Sequence, residues 1–356
     1  MVYVHIPFCR SFCIYCDFYS GIASDRCIRQ FADEVCEEIA RRKGEPLLGP
    51  DTLYIGGGTP SVLPFSVLQR IVEALGGGPW EEFTLEVNPD DVVKRGKVYV
   101  EELKSQGVNR VSMGVQSFDQ GILKWMNRRH SAEVAVEAFR LLREGGIGNI
   151  SIDLIFGFPM LTDSVWKDTI RKALSLPGGP PEHISCYQLS VEPDSELGRM
   201  EREGLFVQSP EEDCRRQYET ISEALVSAGY HHYEISNFAL PGKEAVHNSA
   251  YWTRVPYQGF GPGAHSFDGT HRFWNTQEIP WKRQEETLTD EDALVETIML
   301  SLRTDKGIDS GFLHGNCSQS VLSRLMGEGL LEQAGGRVRI PRSHWFISDS
   351  VIRELV

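Results

Sequence analysis

The sequence predicts an α/β fold: an incomplete parallel (β/α)6 TIM-like barrel with helices outside the sheet, followed by a smaller C-terminal α+β domain. Three observations carry that expectation. Short β-rich runs alternate with longer amphipathic helical ones as far as about residue 229. Six such units follow one another, which leaves an eight-fold barrel open on one side. Polar and glycine residues gather where the strands end, the place where barrels of this kind carry their chemistry.

Strands are predicted over 2–6, 52–55, 83–87, 110–113, 150–156 and 183–189. Helices are predicted over 28–41, 65–75, 98–106, 132–143, 164–175 and 211–227. The first shows the pattern most plainly, with Phe31, Val35 and Ile39 at i, i+4 and i+8 on one apolar face. Beyond Gly229 the rhythm changes. A strand over 230–235 precedes a Gly- and aromatic-rich stretch to about Pro280. Helices over 292–303 and 318–328, short strands around 337–340 and an apolar segment over 347–355 close the chain. That order suggests a winged-helix-like module. The expected division is a barrel over 1–235, a connecting segment over 236–286 and the winged-helix-like domain over 287–356.

Composition narrows the function classes. With 41% hydrophobic and 24% charged residues, the 356-residue chain is of ordinary globular make-up. A formal net charge of −14 argues against a nucleic-acid partner and against electrostatic docking on anionic lipid. No apolar run is long enough to span a bilayer. The first strand starts at the N-terminus, which leaves no room for a signal or transit peptide. Cys27, Cys36, Cys186, Cys214 and Cys317 are scattered without a disulfide-like pattern, so a reducing, cytoplasmic location is expected.

The remaining cysteines are clustered. Cys9, Cys13 and Cys16 stand at C-x3-C-x2-C spacing on the loop after the first strand. Three thiolates so placed can hold three irons of a 4Fe-4S cubane, and a closed site takes four. One iron would then stay open to a small ligand, the arrangement by which metal sites become catalytic. Zinc bound with His5, or inert packing, are the alternatives; His5 lies on the strand ahead of the loop and fits a zinc knuckle poorly.

Other residues at strand ends suit a cofactor. Gly56-Gly57-Gly58 lets backbone groups approach a ligand closely. Glu86 can accept hydrogen bonds from ribose hydroxyls. Arg128 can clamp a carboxylate bidentately, and Gln116 and Asp153 offer further polar contacts. Taken singly, the glycine triplet is more often a turn, and each of the others more often a surface or satisfied core residue.

The cysteine loop and its surroundings resemble the radical S-adenosylmethionine (SAM) superfamily, in which the open iron is chelated by the amino acid end of SAM. Within it the chain resembles the oxygen-independent coproporphyrinogen III oxidase-like proteins, and among these the heme chaperone family HemW. The matching segments run from 3–18, 55–61, 86–89, 107–118, 127–128 and 152–159 to 187–193, 247–252 and 259–265. The resemblance implies that Cys9, Cys13 and Cys16 bind the cluster. It implies a SAM pocket of Tyr3, Tyr15, Gly57, Gly58, Thr59, Glu86, Gln116, Arg128 and Asp153, with Ala264 touching it from a later segment.

Two functions share that site. The oxidase would use a SAM-derived radical to decarboxylate propionate side chains; the chaperone would hold heme and deliver it to acceptor apo-proteins, of which those of the respiratory chain are one class. Phe18 stands where the dehydrogenases carry an extra cysteine, and only Met1 and Val2 precede Tyr3, where they carry an extension. The run His247-Asn248-Ser249-Ala250-Tyr251-Trp252 matches the H-N-x-x-Y-W motif of the chaperones. These features favour a heme chaperone without dehydrogenase activity. An imidazole from His247 can ligate heme iron, and Tyr251 and Trp252 offer flat faces to a porphyrin. A packed turn is the other reading of the motif, and His265 competes as the ligand. The acceptor, cleavage of SAM and a homodimer stay open.

Overall fold

The computed structural model describes residues 1–22, 24–45 and 49–356. Strands β1 (Val2–Ile6), β2 (Thr52–Gly57), β3 (Glu82–Val87), β4 (Arg110–Gln116), β5 (Ile150–Phe156) and β6 (His183–Gln188) lie side by side in that order. Every neighbouring pair is parallel. The six predicted strands are therefore all present, each within two or three residues of its expected bounds.

Both ends of this arc are extended. Strands β7 (His231–Glu234) and β8 (Asn237–Ala239) form a hairpin, with β8 antiparallel to β6. Strand β9 (Gln258–Phe260) pairs parallel with β1. The nine-stranded order is β9-β1-β2-β3-β4-β5-β6-β8-β7. The expected strand over 230–235 is thus an antiparallel edge. Strand β9 falls inside the segment expected only to connect, so residues 236–286 contribute two strands to the barrel sheet. Its three residues are too few for any periodicity to show. Gly259 matters there, because a Cβ would stand 2.0 Å from the carbonyl oxygen of His265.

Alternation along the strands decides where the core lies. Leu53, Ile55, Phe83, Leu85, Val111, Met113, Ile152, Leu154 and Ile184 are fully buried on the face that meets the helices. The helix Asp25–Arg41 covers it with Phe31, Val35 and Ile39, as its spacing predicts. The helix Pro89–Ser105 begins earlier than expected and breaks at Gly96, where φ is 63°. Its first turn reads as polar because Asp90 and Asp91 pair with Arg129. Asn88 caps it by accepting from the Asp90 N–H.

The C-terminal part has strand, helix, helix and hairpin in winged-helix order. Ile308–Asp309 joins Arg337–Arg339 and Glu332–Ala334 in a small antiparallel sheet. The helices Ser310–Asn316 and Gln319–Gly327 pack on it through Leu313, Leu322 and Leu325. Between barrel and wing lies an antiparallel sheet of His265–Phe267, His271–Asn275 and Arg283–Thr287. Among the described residues no helix is long and apolar enough to cross a membrane.

Candidate cofactor site

The inward faces of the parallel strands are polar, not apolar. Tyr54 on β2, Thr84 and Glu86 on β3, Arg110 and Ser112 on β4, Ser151 and Asp153 on β5, and His183, Ser185 and Tyr187 on β6 recur at every second position. A cavity of about 450 Å³ opens at the carboxyl ends of these strands.

The cysteine loop roofs that cavity and is tied down from three sides. Asn127 donates to the Phe12 carbonyl at 2.7 Å, and Leu197 N–H donates to the Ile14 carbonyl at 2.7 Å. The Gly58 and Thr59 N–H groups donate to the carbonyls of Ile6 and Phe8, both at 2.8 Å. Cys9, Cys13 and Cys16 all line the cavity, with Tyr15, Gly57, Gly58, Thr59, Glu86, Gln116, Arg128 and Asp153. So the structure gathers eleven of the expected cofactor residues around one space.

Tyr3 and Ala264 are not among them. The Tyr3 hydroxyl lies 3.0 Å from His5 Nδ1, and His5 Nε2 lies 2.9 Å from the Tyr19 carbonyl oxygen. Tyr3 thus acts on the far end of the loop through His5. Ala264 is buried with its carbonyl engaged by the Asn275 N–H.

Glycine is required at two points. Gly57 has φ 106°, and a Cβ on it would sit 2.6 Å from the His5 ring; on Gly58 it would sit 2.7 Å from the Phe8 carbonyl oxygen. Gln116 and Asn127 hold φ of 67° and 59° although neither is glycine, strain of the kind that collects at functional sites.

Electrostatics set the site apart. Glu86 accepts from the Tyr54 hydroxyl at 2.7 Å and the Gly57 N–H at 3.2 Å. Burial, reinforced by Asp153, nonetheless pushes its carboxyl up to about 7. Burial likewise raises Asp153 to about 6, although Ser112 donates to it at 3.2 Å. Arg128 donates to the Cys13 sulfur at 3.2 Å and to the Gly114 carbonyl at 2.5 Å, yet its Nε has no partner among the described residues. Gln116 Oε1 is also buried without one.

Comparison with known proteins decides the family. The profile of the Radical SAM superfamily matches residues 3–173. The heme chaperone HemW of Synechocystis sp. is 35% identical over 86% of this chain and 78% of its own length. The chain belongs to the HemW family. HemW of Bacillus subtilis is 32% identical, covering 98% of this chain and 97% of its own. The solved structure of coproporphyrinogen III oxidase HemN from Escherichia coli, a radical SAM enzyme, shares the fold: TM-score 0.82 at 20% identity, over 99% of this chain and 88% of that one.

Membership of the radical SAM superfamily implies a 4Fe-4S cluster and SAM, and the HemW residues here fit both. Three thiols border one cavity, glycines leave room for close backbone approach, and the orphaned Gln116 Oε1 and Arg128 Nε are groups a polar ligand would satisfy. As they stand, no three His, Cys, Asp or Glu side chains among the described residues are grouped to hold a metal ion. Cys9 instead lies 3.3 Å from the Thr59 hydroxyl, and Cys13 accepts from Arg128.

The H-N-x-x-Y-W motif has a different place from the one its aromatics suggest. It forms the short helix Val246–Tyr251. The His247 ring is buried, with Nδ1 2.8 Å from the Thr52 hydroxyl and Nε2 3.1 Å from the Tyr251 hydroxyl. Both nitrogens that could reach iron are thus committed to protein. Tyr251 packs edge-on against His247 and Tyr257, and Trp252 follows the helix half-buried. Only Asn248 of the motif lines the cavity. His265, by contrast, is exposed and stacks on Trp274, 6.4 Å between centroids at 23°.

Sequence reasoning missed Tyr54, Arg110, Ser112, Ser185, Tyr187 and Asn248 on the cavity wall. For Tyr54, Ser112, Ser185 and Tyr187 the signal available was period-two polarity in strands that a parallel sheet would otherwise make apolar throughout; it marks neither a lone arginine nor Asn248 on its short helix.

Proposed function

We propose that this chain is a heme chaperone: it binds SAM beside a three-cysteine 4Fe-4S cluster and passes heme to an acceptor apo-protein. The observation that carries the reading is the single cavity joining Cys9, Cys13 and Cys16 to Glu86, Gln116, Arg128 and Asp153, in a chain whose curated relatives are named heme chaperones. Cys9, Cys13 and Cys16 would hold three irons. Arg128 would clamp the SAM carboxylate, Gly57, Gly58 and Thr59 its amino end, and Glu86, Gln116 and Asp153 its ribose. When bound, the cluster supplies one electron and an open iron. The chain's own residues orient the ligand and keep water from it.

Heme is assigned to the surface beyond the cavity. His265 is exposed, and among the described residues its ring has no hydrogen-bond partner, which leaves a nitrogen free for heme iron. It is the better axial ligand than His247, which would first have to break two internal contacts. Phe12 and Phe18 line the cavity and are 48% and 66% exposed, which offers apolar surface beside the cysteine loop. In this division residues 1–235, with the strands of 236–286, carry the cluster and SAM, and 287–356 form an accessory winged-helix-like unit for the acceptor. A cytoplasmic site of action suits the oxygen sensitivity of an exposed cluster.

Anaerobic heme titration of the cluster-loaded chain, beside an assay for coproporphyrinogen decarboxylation, tests the reading. Stoichiometric heme with no decarboxylation is expected. Conversion of coproporphyrinogen without heme binding would establish the oxidase instead.

A further inference from the structure

Arg110 is a buried cavity-lining cation whose situation the cofactor site does not explain. It is 2% exposed at the start of β4, and its side chain borders the cavity. Among the described residues its side chain makes one long hydrogen bond, Nη1 to the Thr84 hydroxyl at 3.4 Å, and its Nε has no partner. A buried guanidinium in this state has lost most of its hydration without an ion pair in return, which is costly unless a ligand completes it.

The nearby carboxyls are committed elsewhere. Glu86 is held by Tyr54 and Gly57, and Asp153 by Ser112. Glu82 accepts from the N–H groups of Val246 and His247, at 2.8 and 3.1 Å, anchoring the H-N-x-x-Y-W helix across the barrel. That anchoring sets Asn248 on the cavity wall, where its amide can face a ligand. The Arg110 charge pulls both Glu86 and Asp153 down against their burial, yet among the described residues neither carboxyl hydrogen-bonds or closely ion-pairs with it.

We infer that Arg110 and Asn248 form a carboxylate receptor within the barrel, separate from the Arg128 clamp and serving the carboxylate arm of a second ligand group. A planar guanidinium donates two parallel N–H groups to a carboxylate, and an amide N–H2 adds a third donor without charge. The motif's histidine and tyrosine then act as positioning residues: His247 and Tyr251 fix the helix so that Asn248 faces inward. The inference deepens the proposed function and rests on it only for the identity of the ligand, either a heme propionate or the amino acid end of a second SAM.

The test uses the full, cluster-loaded chain under anaerobic conditions, with sodium propionate as the probe and propionamide as its uncharged control. Propionate is expected to raise the thermal midpoint of the wild type with saturation, and propionamide is not. Arg110→Met should weaken that response at least tenfold, with Arg110→Lys retaining part of it, and Asn248→Ala should weaken it about threefold or more. A response unchanged in Arg110→Met, or matched by propionamide, would overturn the receptor. Where Arg110→Met does not fold, an undiminished response in both Arg110→Lys and Asn248→Ala overturns it as well. Two further arms identify the source: heme binding tighter than that of heme dimethyl ester points to a propionate, and a second SAM equivalent lost in Arg110→Lys points to SAM. The propionate arm needs no heme, so failure of the chaperone reading leaves it standing, and its own failure leaves the chaperone reading standing.

Discussion

Glu86 gives the sharpest test of the cofactor site. In the proposed role its carboxylate would be ionised to accept two hydrogen bonds from ribose, yet burial, reinforced by Asp153, raises it to about 7. At pH 6 about one-tenth of such a group is ionised and at pH 8 about nine-tenths, so SAM affinity should rise roughly tenfold across that range, ~1.4 kcal/mol. Asp153, raised to about 6, adds to the low end of the same limb, and the two titrate as a pair. Anaerobic calorimetry at pH 6, 7 and 8 measures it. SAM's own amino group titrates at about 8, so Glu86→Gln is the control: it should bind more weakly at pH 8 and lose most of the slope. An affinity flat from pH 6 to 8 in the wild type, or a slope unchanged in Glu86→Gln, would refute the role. Stability runs the other way. With both folded values raised, the unliganded fold keeps the full contribution of these groups below about pH 4, and loses it as pH rises through about 6 to 7.

Other outcomes follow from the same geometry. Cys9→Ala, Cys13→Ala or Cys16→Ala should abolish iron binding on anaerobic reconstitution, while Ala at Cys27, Cys36, Cys186, Cys214 or Cys317 keeps about four irons per chain by metal analysis. His247→Ala should lower stability by about 2–4 kcal/mol, because it vacates a buried site and strands the Thr52 and Tyr251 hydroxyls; chemical denaturation measures it, and the heme absorption spectrum should stay as in the wild type. His265→Ala should shift that spectrum and weaken heme binding with little change in the unfolding midpoint. Gly57→Ala combines an unfavourable φ with a Cβ 2.6 Å from His5 and should impair SAM binding more than tenfold in the same calorimetry.

Much of the architecture was legible because packing imposes periodicity. Phe31, Val35 and Ile39 mark a helix, and Ile150–Phe156 marks a strand, since each buries a continuous apolar face. Strand β9 was hidden, because three residues with one outward side chain carry no period. The cysteine loop was legible from spacing alone, as thiols so close in sequence share one loop. Arg110 and Asn248 were not, since a lone arginine in a strand and an asparagine in a helix look like surface residues until the barrel turns them inward. The packing of the motif was hidden for a related reason. Histidine beside tyrosine and tryptophan reads as a heme face, whereas the Thr52 hydroxyl that occupies its imidazole comes from a strand 195 residues away.

Strand β9 carries a consequence for how the protein is made. Strand β1, which leads directly into the cysteine loop, has its second edge covered only when Gln258–Phe260 arrives. The same late segment delivers the Gly261 N–H, Asn275 and Trp281 to the buried carboxylate of Glu38, on the helix that follows the loop. At ~5–20 residues per second, on the order of 10–50 s of translation separates the cysteines from these partners. Through that interval the three thiols are exposed on a nascent chain whose cradle is unfinished. Chains stalled before Phe260 are therefore expected to retain less iron on reconstitution than the full chain, which metal analysis of stalled complexes measures.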